Sequence, residues 1–281
     1  MKRFWSVLVY FHHNLLFENL MCAWRSHCLR RFVFAERYDH MFANSFKTGV
    51  GVSAVDIPWD VHLPATSAQP DRAVVIAYGS DGMAPAWAPE ILRHAKALTD
   101  VGIVALIPDY LHKSPSIRHG QSDTVFSSIL GRHGEWEQVL QDAVKTAAST
   151  SGITSIGLLC FSLGGFLGLR IRDSVDLIVA YFSPYKFPTF GVPLAKAPLK
   201  GLEDNANPRL NALIQHGDND SLVPFADHAL PICHDLRHEN ATVICTPFPG
   251  ANHGFQGSDQ ANVDARDQSC LATRSFFTTH L

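Results

Sequence analysis

The chain has 281 residues, of which 46% are hydrophobic and 17% charged, with a formal net charge of −3. This composition excludes a disordered chain and supplies enough apolar side chains for one sizeable domain or two small ones. It has no basic block, which excludes nucleic acid as a main partner, because phosphate binding needs a concentrated cationic surface.

The chain opens with MKRFWSVLVYFHHNLLFENLMCAWRSHCLRRF. Lys2 and Arg3 precede an apolar run from Phe4 to Phe11, as in a signal peptide, but His12, His13, Asn14 and Glu18 interrupt it. No uninterrupted run reaches the ~18 apolar residues of a membrane span, so stable membrane insertion is not expected. The cleavage-site pattern is poor, which favours a cytoplasmic location, with export as the alternative. An amphipathic or frayed extension, or a natural start at Met21 or Met41, would account for the segment equally well. Residues 1–45 are therefore set apart, and the fold is read from residues 46–281.

SAVDIPWDVHL, 53–63, partly alternates and predicts one or two antiparallel strands. AVVIAYG, 73–79, is a continuous apolar run, as in a strand buried on both faces. PAWAPEILRHAKALTD has helical spacing, with Trp87, Ile91, Leu92, Ala95 and Leu98 near one stripe. GIVALIPD is the next buried strand, and the polar residues 112–132 read as a loop. GEWEQVLQDAVKTAAST predicts a helix whose Trp136, Val139, Leu140, Ala143 and Ala147 face inward. TSIGLLC is a strand, LGGFLGLRI a helix and DLIVAYF a further strand. The proline-rich residues 184–209 read as an irregular excursion. LNALIQHG is a strand, PFADHALPICHDLRHEN a helix with a proline near its middle, and ATVICTPF a strand. ANVDARDQSCLATRSFFTTHL closes the chain as a helix. This alternation predicts an α/β fold, a mostly parallel sheet with helices on both faces.

In such sheets the site lies beyond the carboxyl ends of the strands. Ser162 follows one strand and precedes a helix, in CFSLGG. A serine nucleophile must protrude from a sharp turn that tolerates only small neighbours two positions either side, here Cys160 and Gly164. If Cys160 attacked instead, Leu158 and Ser162 would be those neighbours and Leu158 would clash, so elbow sterics favour Ser162. Asp220 follows a later strand in HGDNDSLVP, with Asp218 as a competitor for the same role. His253 follows the next strand in FPGANHGF. An acid can hold an imidazole in the right tautomer, and the imidazole can take the serine proton. The chain order Ser, Asp, His is that of α/β-hydrolases. Two backbone amides should serve an oxyanion: Leu163, after the nucleophile, and Ser80, in the loop after AVVIAYG. Tyr78, Met83, Tyr181, Phe182 and the 184–209 segment are candidates to line a substrate pocket.

Fifteen histidines form no HExxH or His/Cys knuckle, so no metal site is expected. The six cysteines, Cys22, Cys28, Cys160, Cys233, Cys245 and Cys270, form no CxxC pair and read as mostly reduced thiols in a cytosolic setting.

From about Ser53 to Leu281 the chain resembles the dienelactone hydrolase family. The resemblance rests on AVVIAYGSDGM, GIVALIPDYL, GLLCFSLGGF, HGDNDSLVP, PGANHGF and SFFTTHL. It implies a compact α/β-hydrolase without a large cap domain, acting on small-molecule esters or lactones without a cofactor. The family typically uses a cysteine nucleophile where this sequence has Ser162, and a glutamate partner of that cysteine where it has Gly79. Of the family's substrate-binding arginines, one position falls at Lys113 and another in FQG, which carries no base. The expected activity is therefore serine-dependent hydrolysis of a carboxylic ester or lactone other than a dienelactone, through an acyl-enzyme. The alternatives are a peptidase or thioesterase with the same triad, and an inactive binding or regulatory protein on the same fold.

Overall fold

A computed structural model describes residues 41–49, 54–65, 70–112, 120–186, 210–239 and 241–281. The N-terminal extension, Lys113 and most of the 184–209 segment lie outside the described residues. Eight strands form one sheet: β1 (Ser45–Thr48), β2 (Val55–His62), β3 (Arg72–Ala77), β4 (Val104–Pro108), β5 (Ser155–Phe161), β6 (Leu177–Tyr181), β7 (Asn211–Gly217) and β8 (Thr242–Phe248). Their spatial order is β1-β2-β4-β3-β5-β6-β7-β8. From β4 to β8 the strands run parallel, and β1 and β2 add an antiparallel edge.

The helices described are α1 (Ala88–Thr99), α2 (Ser122–Ala148), α3 (Leu163–Arg170), α4 (Phe225–His238) and α5 (Gln260–His280). Strand alternation sends them to opposite faces. On β5, the Gly157 side meets Phe277 of α5, whereas Leu158, one residue on, meets Gly168 of α3. Each residue of β4 and all but the first of β3 are buried, which explains why both read as unbroken apolar runs.

Two sequence expectations are corrected. Residues 112–132 are not all loop, because α2 begins at Ser122. Val125 and Ile129 are buried one turn apart and continue the stripe to Trp136. The serines that disguised this turn return hydroxyl hydrogen bonds to the helix, Ser127 and Ser128 both donating to the Thr124 carbonyl at 3.0 and 2.8 Å. At the start of the sheet β1 begins at Ser45, and Trp59 donates its Nε1–H to the Ala43 carbonyl at 2.5 Å.

The cysteines are the second correction. Cys233 of α4 and Cys245 of β8 form a disulfide, with Cα atoms 6.3 Å apart, while Cys160 and Cys270 are free. The helix packs against the edge strand that follows it, which brings together two cysteines 12 residues apart that share no local motif.

Candidate active site

Ser162 sits between β5 and α3 with φ 48° and ψ −112°, a backbone conformation a non-glycine residue rarely adopts. The turn is held from two neighbouring strands. Ser162 N donates to the Tyr181 carbonyl at 3.0 Å, and Gly164 N donates to the Tyr78 carbonyl at 3.1 Å. A methyl group at Gly164 would overlap the carbonyl oxygens of Ala77 and Tyr78, so the start of α3 lies directly against the end of β3.

The cysteine two residues before Ser162 fits because of a third glycine. Cys160 is fully buried, and its sulfur occupies the space that a Cβ at Gly168 would need. Burial pushes its thiol well above the ordinary value, so it stays protonated and inert. Gly168→Ala is therefore expected to cost about 1–3 kcal/mol by overpacking. Cys160→Ala should recover most of that loss, and a double-mutant cycle by chemical denaturation measures the coupling.

His253 reaches Ser162 from the loop after β8. Its Nε2 lies 3.2 Å from Ser162 Oγ, and its Nδ1 lies 2.8 Å from Asp220 Oδ2. The loop is braced on both sides. Asn252 exchanges hydrogen bonds of 2.8 Å with the backbone N–H and carbonyl of Gln256, and its own N–H donates to Asn262 Oδ1 at 2.9 Å. Gly254, at φ 69°, leaves room for the Trp87 ring beside the histidine.

Asp220 is 4% exposed. Its Oδ1 accepts the N–H groups of Leu222 and Val223 at 3.0 and 2.8 Å. Its Oδ2 faces both His253 and the buried His216, whose Nε2 lies 3.3 Å away and also meets the Val223 carbonyl at 2.7 Å. Burial alone would raise the carboxyl, but His216, His253 and the Val223 amide outweigh it and hold it well below the usual range. A group whose folded pKa is depressed stabilises the fold above its unfolded pKa, and that contribution is lost as pH falls. Asp220→Asn should therefore flatten the loss of thermal stability below about pH 4. Asp218, the competing acid, is exposed and accepts from Gly250 N at 2.6 Å, so it links two loops instead.

Ser162 and His253 open onto a cavity of ≈ 150 Å³, and Ser80, Tyr181 and Phe182 line it too. Phe182 sets its ring edge-on to His253 at 4.9 Å, and Tyr181 stacks on Phe161 at 4.9 Å. The ideal Cβ position of Gly79 is 3.5 Å from Ser162 Cβ, so the loop carrying Ser80 passes directly beside the serine. Leu163 begins α3, next to Ser162.

Tyr78 and Met83 do not line this cavity. They line a separate one of ≈ 180 Å³ with Trp59, Asp60 and Asp109. Tyr78 is fully buried, donates its hydroxyl to Asp109 Oδ1 at 2.8 Å, and holds the elbow through its carbonyl, which also accepts from Tyr110 Oη at 2.7 Å. It braces the site rather than lining it. The wall residues that the sequence reading missed include Trp87, Glu90, Phe126 and Leu222. Phe126 was hidden in the stretch read as loop, although its spacing from Ile129 is helical.

The family model for the dienelactone hydrolase family matches residues 61–281. The chain belongs to the dienelactone hydrolase family. Comparison with functionally curated proteins returns no match. Among solved structures, a dienelactone hydrolase-like promiscuous phosphotriesterase from metagenomic libraries is similar, with 16% identity and a TM-score of 0.63, covering 84% of this chain and 97% of that one. Est1E from Butyrivibrio proteoclasticus has 13% identity and a TM-score of 0.58, covering 85% and 99%. An acylaminoacyl peptidase from Pyrococcus horikoshii has 14% identity and a TM-score of 0.61, covering 85% of this chain but 41% of the peptidase. At these identities the shared property is the α/β-hydrolase fold.

This dienelactone hydrolase family member has no described helix long and apolar enough to cross a membrane. Its described residues contain no group of three or more His, Cys, Asp or Glu able to hold a metal ion.

Proposed function

We propose that the chain is a serine hydrolase that cleaves a neutral carboxylic ester or lactone through an acyl-enzyme. The observation that carries this reading is the unbroken series Ser162 Oγ, His253, Asp220 at 3.2 and 2.8 Å, ending in an apolar cavity. His253 Nε2 takes the Ser162 proton as Oγ attacks the substrate carbonyl. Asp220 keeps the proton on Nδ1 and stabilises the imidazolium that forms. The amides of Ser80 and Leu163 receive the tetrahedral oxyanion. His253 then gives its proton to the leaving alcohol, and a water activated in the same way releases the acid.

The cavity favours a short to medium acyl group, because Trp87, Ile91, Phe126, Phe161 and Phe182 supply its apolar wall. Glu90 and Asp81 stand on that wall as acids, which disfavours an anionic substrate such as a dienelactone carboxylate. Labelling with a fluorophosphonate, followed by peptide mapping, tests the reading. The label is expected on Ser162 and absent from Ser162→Ala. A folded protein that takes no label at Ser162 overturns it in favour of an inactive binding protein.

A further inference from the structure

The acid proposed to orient His253 sits on a short loop between β7 and α4 whose surface is open to solvent. Asn219 and Ser221 are exposed, and Leu222 is 57% exposed. The first limb of this loop is tied to the end of β8 and the loop that follows it. Asp218 N donates to the Phe248 carbonyl and Asn219 N to the Ala251 carbonyl, each at 3.1 Å. The bonds from Leu222 N and Val223 N to Asp220 Oδ1 are of another kind, because they are internal to the loop. They fix the carboxylate to its own turn and would move with it. A carboxylate that must stay within hydrogen-bond reach of one imidazole nitrogen also needs the second limb of its turn fixed to the sheet.

His216, the penultimate residue of β7, makes that connection. It is fully buried. Its neighbour Gln215 turns to α5, where its Nε2 donates to Thr273 Oγ1 at 2.9 Å, so strand alternation sends the His216 ring to the opposite face. There it meets the Phe225 ring of α4 edge-on, at 5.9 Å between centroids. Its Nε2 lies 2.7 Å from the Val223 carbonyl oxygen and 3.3 Å from Asp220 Oδ2. Both neighbours are acceptors, so Nε2 carries the ring hydrogen. Nδ1 is buried and has no hydrogen-bond partner among the described residues. The contacts close a ring. Val223 N donates to Asp220 Oδ1, His216 Nε2 donates to the Val223 carbonyl, and the same N–H flanks Asp220 Oδ2. Oδ2 is the atom 2.8 Å from His253 Nδ1.

We propose that His216 is a positioning residue for the proposed hydrolysis: it fixes the Val223 end of the acid loop to β7 and so holds Asp220 Oδ2 against His253. The role rests on the reading of Ser162, His253 and Asp220 as the reacting series. His216 does not line the Ser162 cavity, so its effect on turnover passes through Asp220. A leucine at this position would fill similar space but leave the Val223 carbonyl without a donor. A glutamine would present an N–H as many bonds from the backbone as Nε2 of histidine, and could restore it.

The test measures hydrolysis of a p-nitrophenyl ester and the rate of fluorophosphonate labelling at Ser162, both in the full-length protein. His216→Leu is expected to lower kcat and the labelling rate about tenfold, with KM within about twofold of the parent. His216→Gln should return both to within about threefold of the parent. In an Asp220→Asn background, His216→Leu should cost less than about twofold, because the carboxylate it positions is gone. A tenfold loss in that background too, a folded His216→Gln as slow as His216→Leu, or a folded His216→Leu with the parent's kcat would overturn the role and leave the reacting series standing. Should His216→Leu not fold, a nitrogen NMR spectrum of the histidine-labelled parent decides. The His216 hydrogen is expected on Nε2, and a hydrogen on Nδ1 would overturn the role. A folded parent that takes no label at Ser162 overturns the reacting series itself, and the role of His216 with it.

Discussion

Ser162→Ala is expected to lower kcat on a short-chain ester by on the order of 10⁴–10⁶ while leaving the melting temperature within a few degrees of the parent. Loss of Oγ removes the atom that would bond to the substrate and leaves His253 Nε2 without its 3.2 Å partner. The backbone cost is small, since alanine tolerates φ 48° no worse than serine does. A residual rate above that in water should survive, because the amides of Ser80 and Leu163 are main-chain groups that the substitution leaves in place. Cys160→Ala is the paired control and should keep most of the activity, its sulfur being packed beneath Gly168 rather than facing substrate. Steady-state kinetics on a p-nitrophenyl ester, with thermal melts of both variants, measures this. Undiminished turnover in a folded Ser162→Ala protein would remove the proposed nucleophile.

The second large effect is expected at Gly164. An added methyl would meet the Ala77 carbonyl and, at 2.5 Å, the Tyr78 carbonyl oxygen. These are backbone atoms at the end of a central strand, held by pairing to β4 and β5, and they cannot turn aside as a side-chain tip would. α3 would have to move outward, carrying the Leu163 amide and Ser162 with it. Gly164→Ala should therefore cost about 3 kcal/mol, the upper end for overpacking. In a domain of this size that is roughly 6–12 °C in melting temperature. A displacement of the proposed nucleophile by about 1 Å should also reduce turnover on the order of 10²-fold. Gly134→Ala separates this from any general intolerance of glycine replacement. Gly134 lies within α2 with nothing within 4 Å of an added methyl, so the change should be neutral or stabilising by up to ~1 kcal/mol. Equal losses in both variants would show that contact with β3 is not the cause.

Much of this molecule was legible in one dimension, for identifiable reasons. A parallel strand covered on both faces needs apolar residues at every position, so AVVIA and VALIP stand out as runs. A parallel sheet sends its site to the carboxyl ends of its strands, so Ser162, Asp220 and His253 could be picked by position as well as by type. The departures from a plain pattern were harder to interpret. Cysteine at the elbow reads as crowding until Gly168, eight residues later, is seen to vacate the space its sulfur fills. The start of α2 was masked because its serines bond back to their own helix, an interaction that composition alone reads as loop.

Only the tertiary structure decided which of the two nearby acids faces His253, since Asp218 and Asp220 differ by where a turn points them and not by chemistry. It alone assigned Tyr78 to the brace behind the elbow and Phe126 to the cavity wall. It alone joined Cys233 to Cys245. Periodicity reports which face of an element is buried, because that depends on neighbours along the chain. Which side chain meets which across that buried face depends on how the elements stack, and local sequence does not contain it.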